Sequence, residues 1–152
     1  MKTNIVVLST ADRSKKKFAR QLSDFLNMYY VDVQELLNYD ISCFFDRIDE
    51  VGEEYLKRIT NKKIKTVSGY ENAVITLEPE TVFDNDNISL FKKNSWIVHV
   101  VLKDLLNKKI TNLVTEERNR MYEGIADISI DCSLLTIREA AKEVIMHLEK
   151  LK

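Results

Sequence analysis

Glycine and proline are nearly absent: Gly52, Gly69 and Gly124 are the only glycines among 152 residues, and Pro79 is the only proline. So little glycine argues against catalysis by backbone-lined loops, because residues with a β-carbon pay to enter the left-handed region such loops use. Cysteine is limited to Cys43 and Cys132, far apart and in no paired motif, which excludes a disulfide framework and predicts two buried, reduced thiols. Histidine is limited to His99 and His147, with no second ligand at metal-binding spacing, so no metal site is expected. There is no G-x-S-x-G nucleophile turn. No window approaches the ~20 apolar residues of a membrane span, and the first four residues lead into a strand without a signal-peptide pattern, so a cytoplasmic protein is expected. Excess charge is missing too: the net charge of −1 gives no electrostatic reason to expect nucleic acid or an acidic membrane as partner.

What is present is the composition of one ordinary soluble domain over residues 1–152, with 45% apolar and 31% charged residues. Ile5-Val6-Val7-Leu8 is a short, wholly apolar run, as a central parallel strand covered on both faces requires. Phe18, Leu22, Phe25 and Leu26 follow at helical spacing, predicting an amphipathic helix that opens at Lys15. Tyr29-Tyr30-Val31-Asp32 reads as a second strand, 73–77 as a third, 96–102 as a fourth and 125–130 as a short fifth. A helical stripe runs through Phe44, Phe45, Ile48, Val51, Tyr55, Leu56 and Ile59, and 103–123 reads as helical. Thr136-Ile137-Arg138-Glu139 is a capping box that opens a terminal helix. Strands alternating with helices predict a three-layer α/β/α sandwich around a five-stranded, mostly parallel sheet. Tyr29, Tyr30, Phe44 and Phe45 are expected in its core. Lysines 15–17, 62, 63 and 65 are expected as solvated surface.

The informative junction lies between the first strand and its helix. Ser9-Thr10-Ala11-Asp12-Arg13-Ser14-Lys15-Lys16 stands where a phosphate-binding loop would read G-x-x-x-x-G-K-[ST]. That loop needs glycines so that its N–H groups converge on phosphate oxygens. Here Ser9, Asp12 and Ser14 replace them, and Lys16 replaces the hydroxyl that holds magnesium. A carboxylate ~4 Å from a phosphate charge costs about 4 kcal/mol at an effective dielectric of 20. The bland alternative is that Asp12 or Ser14 N-caps the helix.

In this order the segments resemble the shikimate kinase family of P-loop kinases, over nearly the whole chain. Arg118-Asn119-Arg120-Met121-Tyr122, continuing to Ala126-Asp127, is similar to the family's R-x-x-x-Y-x-x-x-A-D. Tyr30-Val31-Asp32-Val33-Gln34 is similar to F-I-D-T-D, Gly52-Glu53-Glu54-Tyr55-Leu56-Lys57 to G-E-x-x-F-R, and Asn72-Ala73-Val74-Ile75 to the strand before G-G-G. The resemblance implies remnant site residues: Lys15 as the nucleotide-binding lysine, and Asp32, Lys57 and Arg118 on the substrate side. It also implies what is changed. The second aspartate is Gln34, the arginine of G-E-x-x-F-R is Lys57, which lacks a bidentate fork, and the three glycines are Glu78-Pro79-Glu80. Residues 103–117, where the family carries its arginine-bearing lid, contain no arginine and are too short for a flap.

The expectation is therefore a family member with a degenerate Walker A motif, leaning away from catalysis: a pseudokinase with a binding or regulatory role, a protein partner or a homo-oligomer, and no cofactor. A working small-molecule kinase of aromatic amino acid biosynthesis, using ATP and magnesium on shikimate or a related hydroxyl, stays open. So does a pure protein-interaction module.

Overall fold

The computed structural model describes residues 2–42, 52–103 and 112–152. Five strands form one parallel sheet in the order β2-β3-β1-β4-β5: β1 (Asn4–Leu8), β2 (Tyr29–Asp32), β3 (Ala73–Thr76), β4 (Ser95–Val101) and β5 (Ile128–Asp131). β1 is central and buried at every position, as its unbroken apolar run requires. The helices are α1 (Asp12–Leu26), α2 (Val33–Ser42), α3 (Glu53–Ser68), α4 (Pro79–Val82), α5 (Asn85–Lys92), α6 (Asn112–Ile125) and α7 (Ile137–Leu151). The predicted sandwich is the observed one.

Two apolar layers sandwich the sheet. On one face Ile5, Val7, Val74, Val98 and Val100 pack with Phe18, Ala19 and Leu22 of α1 and Ala140, Ala141, Val144 and Leu148 of α7. On the other, Val6, Leu8, Ile75 and Ile97 meet Val33 and Leu37 of α2, Ile64 and Val67 of α3, Phe91 of α5 and Tyr122 of α6. The alternation of partners along β1 follows from the two-residue period of a strand. α7 opens on the predicted capping box, with the Thr136 hydroxyl and the Glu139 carboxylate each accepting the other residue's N–H at 3.1 Å.

Several boundaries differ from the sequence reading. α1 begins at Asp12, three residues before Lys15, and this bears directly on the site below. Ile125 closes α6 instead of opening β5. α2 and α5 replace segments read without structure. α2 is opened by Asp32, whose carboxylate accepts N–H bonds from Gln34 and Glu35, and α5 by Asp84, which does the same for Asp86 and Asn87. The stripe through Phe44, Phe45, Ile48 and Val51 lies outside the described residues, as does Cys43. In α3 the inward residues are Ile64 and Val67, while Tyr55 is exposed. Tyr29, expected in the core, is 72% exposed because it opens the edge strand β2. Cys132 is buried as expected, and burial pushes its thiol up to about 11.

Candidate functional site

In an open parallel sheet, ligands bind outside the carboxyl ends of the strands, where the connections change direction. Here that crevice lies above β1 and β3, and the residues that close it come from the loop after β1, the turn after β3, the end of β2 and the helix α6.

The loop after β1 is only three residues long. Ser9, Thr10 and Ala11 separate Leu8 from the first residue of α1. Ala11 occupies the N-cap position with no side-chain cap, so neither Asp12 nor Ser14 caps the helix. Asp12, Arg13 and Ser14, which hold loop positions in the P-loop register, lie inside the helix instead. The Lys15 N–H already donates to the Ala11 carbonyl at 2.7 Å. Among the described residues only Asn27 and Asn72 have positive φ, so this loop contains none of the left-handed turns from which an anion-binding nest is built. Ser14 is turned inward: its hydroxyl donates to the Lys103 carbonyl at 2.7 Å and ties α1 to the end of β4.

The reason for the early helix start is visible in the side chains. Without glycine the segment has no inexpensive route to positive φ, and it takes the helical conformation its residues favour. Asp12 then stands in the first turn, where a carboxylate complements the positive end of the helix.

Lys15 is 2% exposed, a correction to its expected place on the solvated surface. Its ammonium donates to the Leu77 carbonyl at 3.2 Å and lies 3.5 Å from the Asp12 carboxylate. Lys16 turns toward β2, where its ammonium is 3.4 Å from Asp32 Oδ2. Burial alone would lower the Lys16 pKa, but the acidic groups around it, Asp32 first and then Tyr30 and Glu35, outweigh it, and the net shift is upward. Asp32, 5% exposed, thus divides its oxygens between the start of α2 and Lys16.

The turn after β3 carries Glu78, Pro79 and Glu80. Pro79 takes the first position of α4, which its missing N–H suits. Burial raises the Glu78 pKa; Lys15 and Lys16 oppose the rise, and Asp12 and Asp32 add to it. The Tyr122 hydroxyl, on α6, is pushed up to about 12, first by burial, against Arg118 and with Asp12, Glu78 and Glu80. Glu78 thus feels Lys15, Lys16, Asp12 and Asp32, and Tyr122 feels Arg118, Asp12, Glu78 and Glu80. Tyr122 itself stacks on Phe83 at 5.5 Å and is buried.

Of the residues the sequence singled out, Lys15 and Asp32 both act on Glu78, and Arg118 acts on Tyr122. Lys57 stands apart. It lines a groove of about 330 Å³ with Glu53, Glu80 and Asp84, and that acidic rim would repel a carboxylate. Residues 104–111, most of the segment read as a shortened lid, lie outside the described residues. The sequence reading missed the Lys16–Asp32 pair and the Ser14 clamp. Apolar spacing gives no sign of either, since both join residues distant in the chain.

His99 is 0% exposed and fully used. One ring nitrogen meets the Ser129 hydroxyl at 2.6 Å and the other the Asn119 side-chain oxygen at 3.0 Å. No cluster of three or more metal-ligating side chains occurs among the described residues, and no described helix is long and apolar enough to cross a membrane.

Comparison with known proteins adds relatives to this geometry. No protein-family model matches the chain. The shikimate kinase of Caldanaerobacter subterraneus is 27% identical over a 168-residue alignment that covers 98% of each chain. That of Caldicellulosiruptor saccharolyticus is 26% identical, covering 97% of this chain and 96% of the relative. An alignment longer than the 152 residues present here means that the first relative carries segments without a counterpart in this chain. Among solved structures, the shikimate kinase of Acinetobacter baumannii in complex with shikimate superposes with a TM-score of 0.78 at 14% identity, covering all of this chain and 96% of the other. That of Aquifex aeolicus gives 0.73 at 22%, covering 96% of each chain.

Proposed function

We propose that this chain, a divergent relative of the shikimate kinase family of P-loop kinases, no longer transfers phosphate and serves instead as a binding or regulatory protein. One observation carries the reading: α1 reaches back to Asp12 and consumes the loop that would have to hold a triphosphate. The main-chain nitrogen of Lys15 faces the Ala11 carbonyl rather than an incoming oxygen.

The crevice is also electrostatically complete without a nucleotide. Asp12 sits on Lys15, where a phosphate would, and Lys16 sits on Asp32, where a hydrated magnesium ion would. The residues present therefore do not fit magnesium: the hydroxyl that would ligate it is Lys16, and the ammonium fills the place beside the carboxylate. To admit Mg-ATP the protein would have to break both pairs, unwind the first turn of α1, and bring the phosphates past Glu78. On the substrate side, Glu78 and Glu80 replace the glycines that would meet shikimate backbone-first, and Lys57 faces acids.

The competing reading, a working ATP-dependent kinase acting on shikimate or a related hydroxyl, draws on the presence of Lys15, Asp32 and Arg118 at positions that match the family's motifs and on full-length similarity to enzymes. A coupled assay of ADP release with shikimate at millimolar Mg-ATP separates the two. Silencing predicts a rate equal to that of Lys15→Ala, whereas a rate above that control removes the proposal.

A further inference from the structure

His99 joins two polar side chains at the edge of the sheet. Parallel pairing sets Ser129 of β5 directly beside His99 of β4, and the imidazole Nδ1 lies 2.6 Å from the Ser129 hydroxyl. On the other side of the ring, Nε2 lies 3.0 Å from the Asn119 side-chain oxygen on α6. That oxygen can only accept, so Nε2 carries the ring's proton and Nδ1 is left with a lone pair, to which the Ser129 O–H donates. A hydroxyl on a neutral imidazole whose far nitrogen is held by a third group is the arrangement that activates a serine nucleophile, and it is recognised by geometry on unrelated folds.

We propose that Ser129 is an activated nucleophile that takes an acyl group from an ester, with His99 as its base and Asn119 as the positioning residue. In that step Oγ bonds to the carbonyl carbon, the ester C–O bond breaks, and the Ser129 proton passes through His99 Nδ1 to the departing oxygen. Exposure divides the pair as this chemistry needs: Ser129 is exposed on the edge strand, open to an incoming group, while the imidazole behind it is 0% exposed. Burial lowers the ring's pKa and keeps it neutral at pH 7, with the Asn119 bond and Glu123 acting the other way. Asn119 and Glu123 also stabilise the positive charge that the ring gains in the reaction. The described neighbours Tyr122 and Leu8 bring no charge: Tyr122 of α6 packs at 5.7 Å with its hydroxyl pushed up to about 12, and Leu8 stands opposite on β1. Lys15, Lys16 and Asp32 take no part, so the reaction does not depend on whether phosphate transfer is silenced.

The test incubates the full chain with an alkyl fluorophosphonate, whose phosphorus takes the place of the carbonyl carbon and traps the serine as fluoride leaves. Mass spectrometry should find one adduct per chain, on Ser129, and none in Ser129→Ala. The rate should rise with pH as His99 loses its proton, with a midpoint below 6.5, and then level off. An unassisted hydroxyl would instead speed up with hydroxide through alkaline pH. His99→Gln should slow labelling at least about a hundredfold. Asn119→Leu should slow it at least about tenfold, whereas Asn119→Asp keeps an acceptor on Nε2 and should retain the rate with its midpoint moved upward. Ser133→Ala, which removes a hydroxyl that donates to Asp131 at 2.7 Å, should change nothing. Circular dichroism identifies a variant that fails to fold, and the wild-type pH profile with the remaining variants then decides. No adduct on Ser129, labelling spread over other residues, a rate that climbs without levelling, or a rate indifferent to His99→Gln and to both Asn119 changes overturns the proposal.

Discussion

Replacing Lys15 tests whether this lysine is part of the core. In an open phosphate loop this side chain waits in water, and its removal costs the folded protein little. Here it is 2% exposed, with its ammonium on the Leu77 carbonyl at 3.2 Å. Lys15→Ala removes three buried methylenes, at about 0.8 kcal/mol each by area transfer. It also strands a buried carbonyl, which costs about 1–3 kcal/mol. Relief of the ammonium's own desolvation offsets part of this. The Asp12 contact adds little, because that carboxylate is largely exposed and an exposed partner contributes at most about 1 kcal/mol. The net expectation is a loss of about 2–3 kcal/mol. For a domain of this size that lowers Tm by about 4–12 °C. Lys15→Met keeps the packing and loses only the ammonium's contacts, so its cost should be under about 1 kcal/mol. Urea unfolding followed by circular dichroism measures both. A Lys15→Ala protein as stable as the wild type would refute the buried, plugged arrangement.

Three further outcomes follow from the same structure. Burial raises the Glu78 pKa, so the folded protein holds that proton more tightly than the unfolded chain, and the associated stability, complete below the ordinary value of 4.5, is lost as pH rises through the folded value. Glu78→Gln should therefore raise the urea midpoint at pH 7.5 and leave it unchanged near pH 4; a lowered midpoint at pH 7.5 would contradict this. Burial depresses the His99 pKa below 6.5, so its contribution is complete above that pH and is lost as pH falls toward the folded value. The fall in midpoint between pH 7.5 and 5 should accordingly be shallower in His99→Gln than in the wild type, and equal slopes would count against it. Thr136→Ala removes the capping box of α7 and should cost about 1 kcal/mol, a Tm decrease of about 2–4 °C in a differential scan.

Where the pattern was local, the sequence was readable. The apolar run of β1, the period of α1 and the Thr136–Glu139 box each show themselves within a few residues, and each stands where it was expected. α2 and α5 carried signals that went unread: Asp32 and Asp84 as caps, followed by Leu37 and Ile41, or by Ile88 and Phe91, at inward positions. The missing glycines of the loop were plain, but their consequence was not. That the helix would extend back to Asp12, bury Lys15 and pair Lys16 with Asp32 depends on contacts with β2 and the turn after β3. Such contacts join Lys15 to Leu77 and Lys16 to Asp32 and leave no periodic trace. Lys15 in particular reads as one of three consecutive lysines, and only the fold shows that its neighbour Lys17 faces water while it does not.

The family resemblance and the internal pairing of charges bear on the same point from two sides. The resemblance lies in the residues at matching positions, and the local physics explains why the partners of Lys15 and Lys16 are the chain's own groups. Isothermal titration of the wild-type protein with Mg-ATP, repeated in the presence of shikimate, tests this most directly. Silencing predicts no saturable heat at millimolar nucleotide in either case. One-to-one binding of Mg-ATP that disappears in Lys15→Ala would contradict it, because the first turn of α1 would then have opened around a triphosphate.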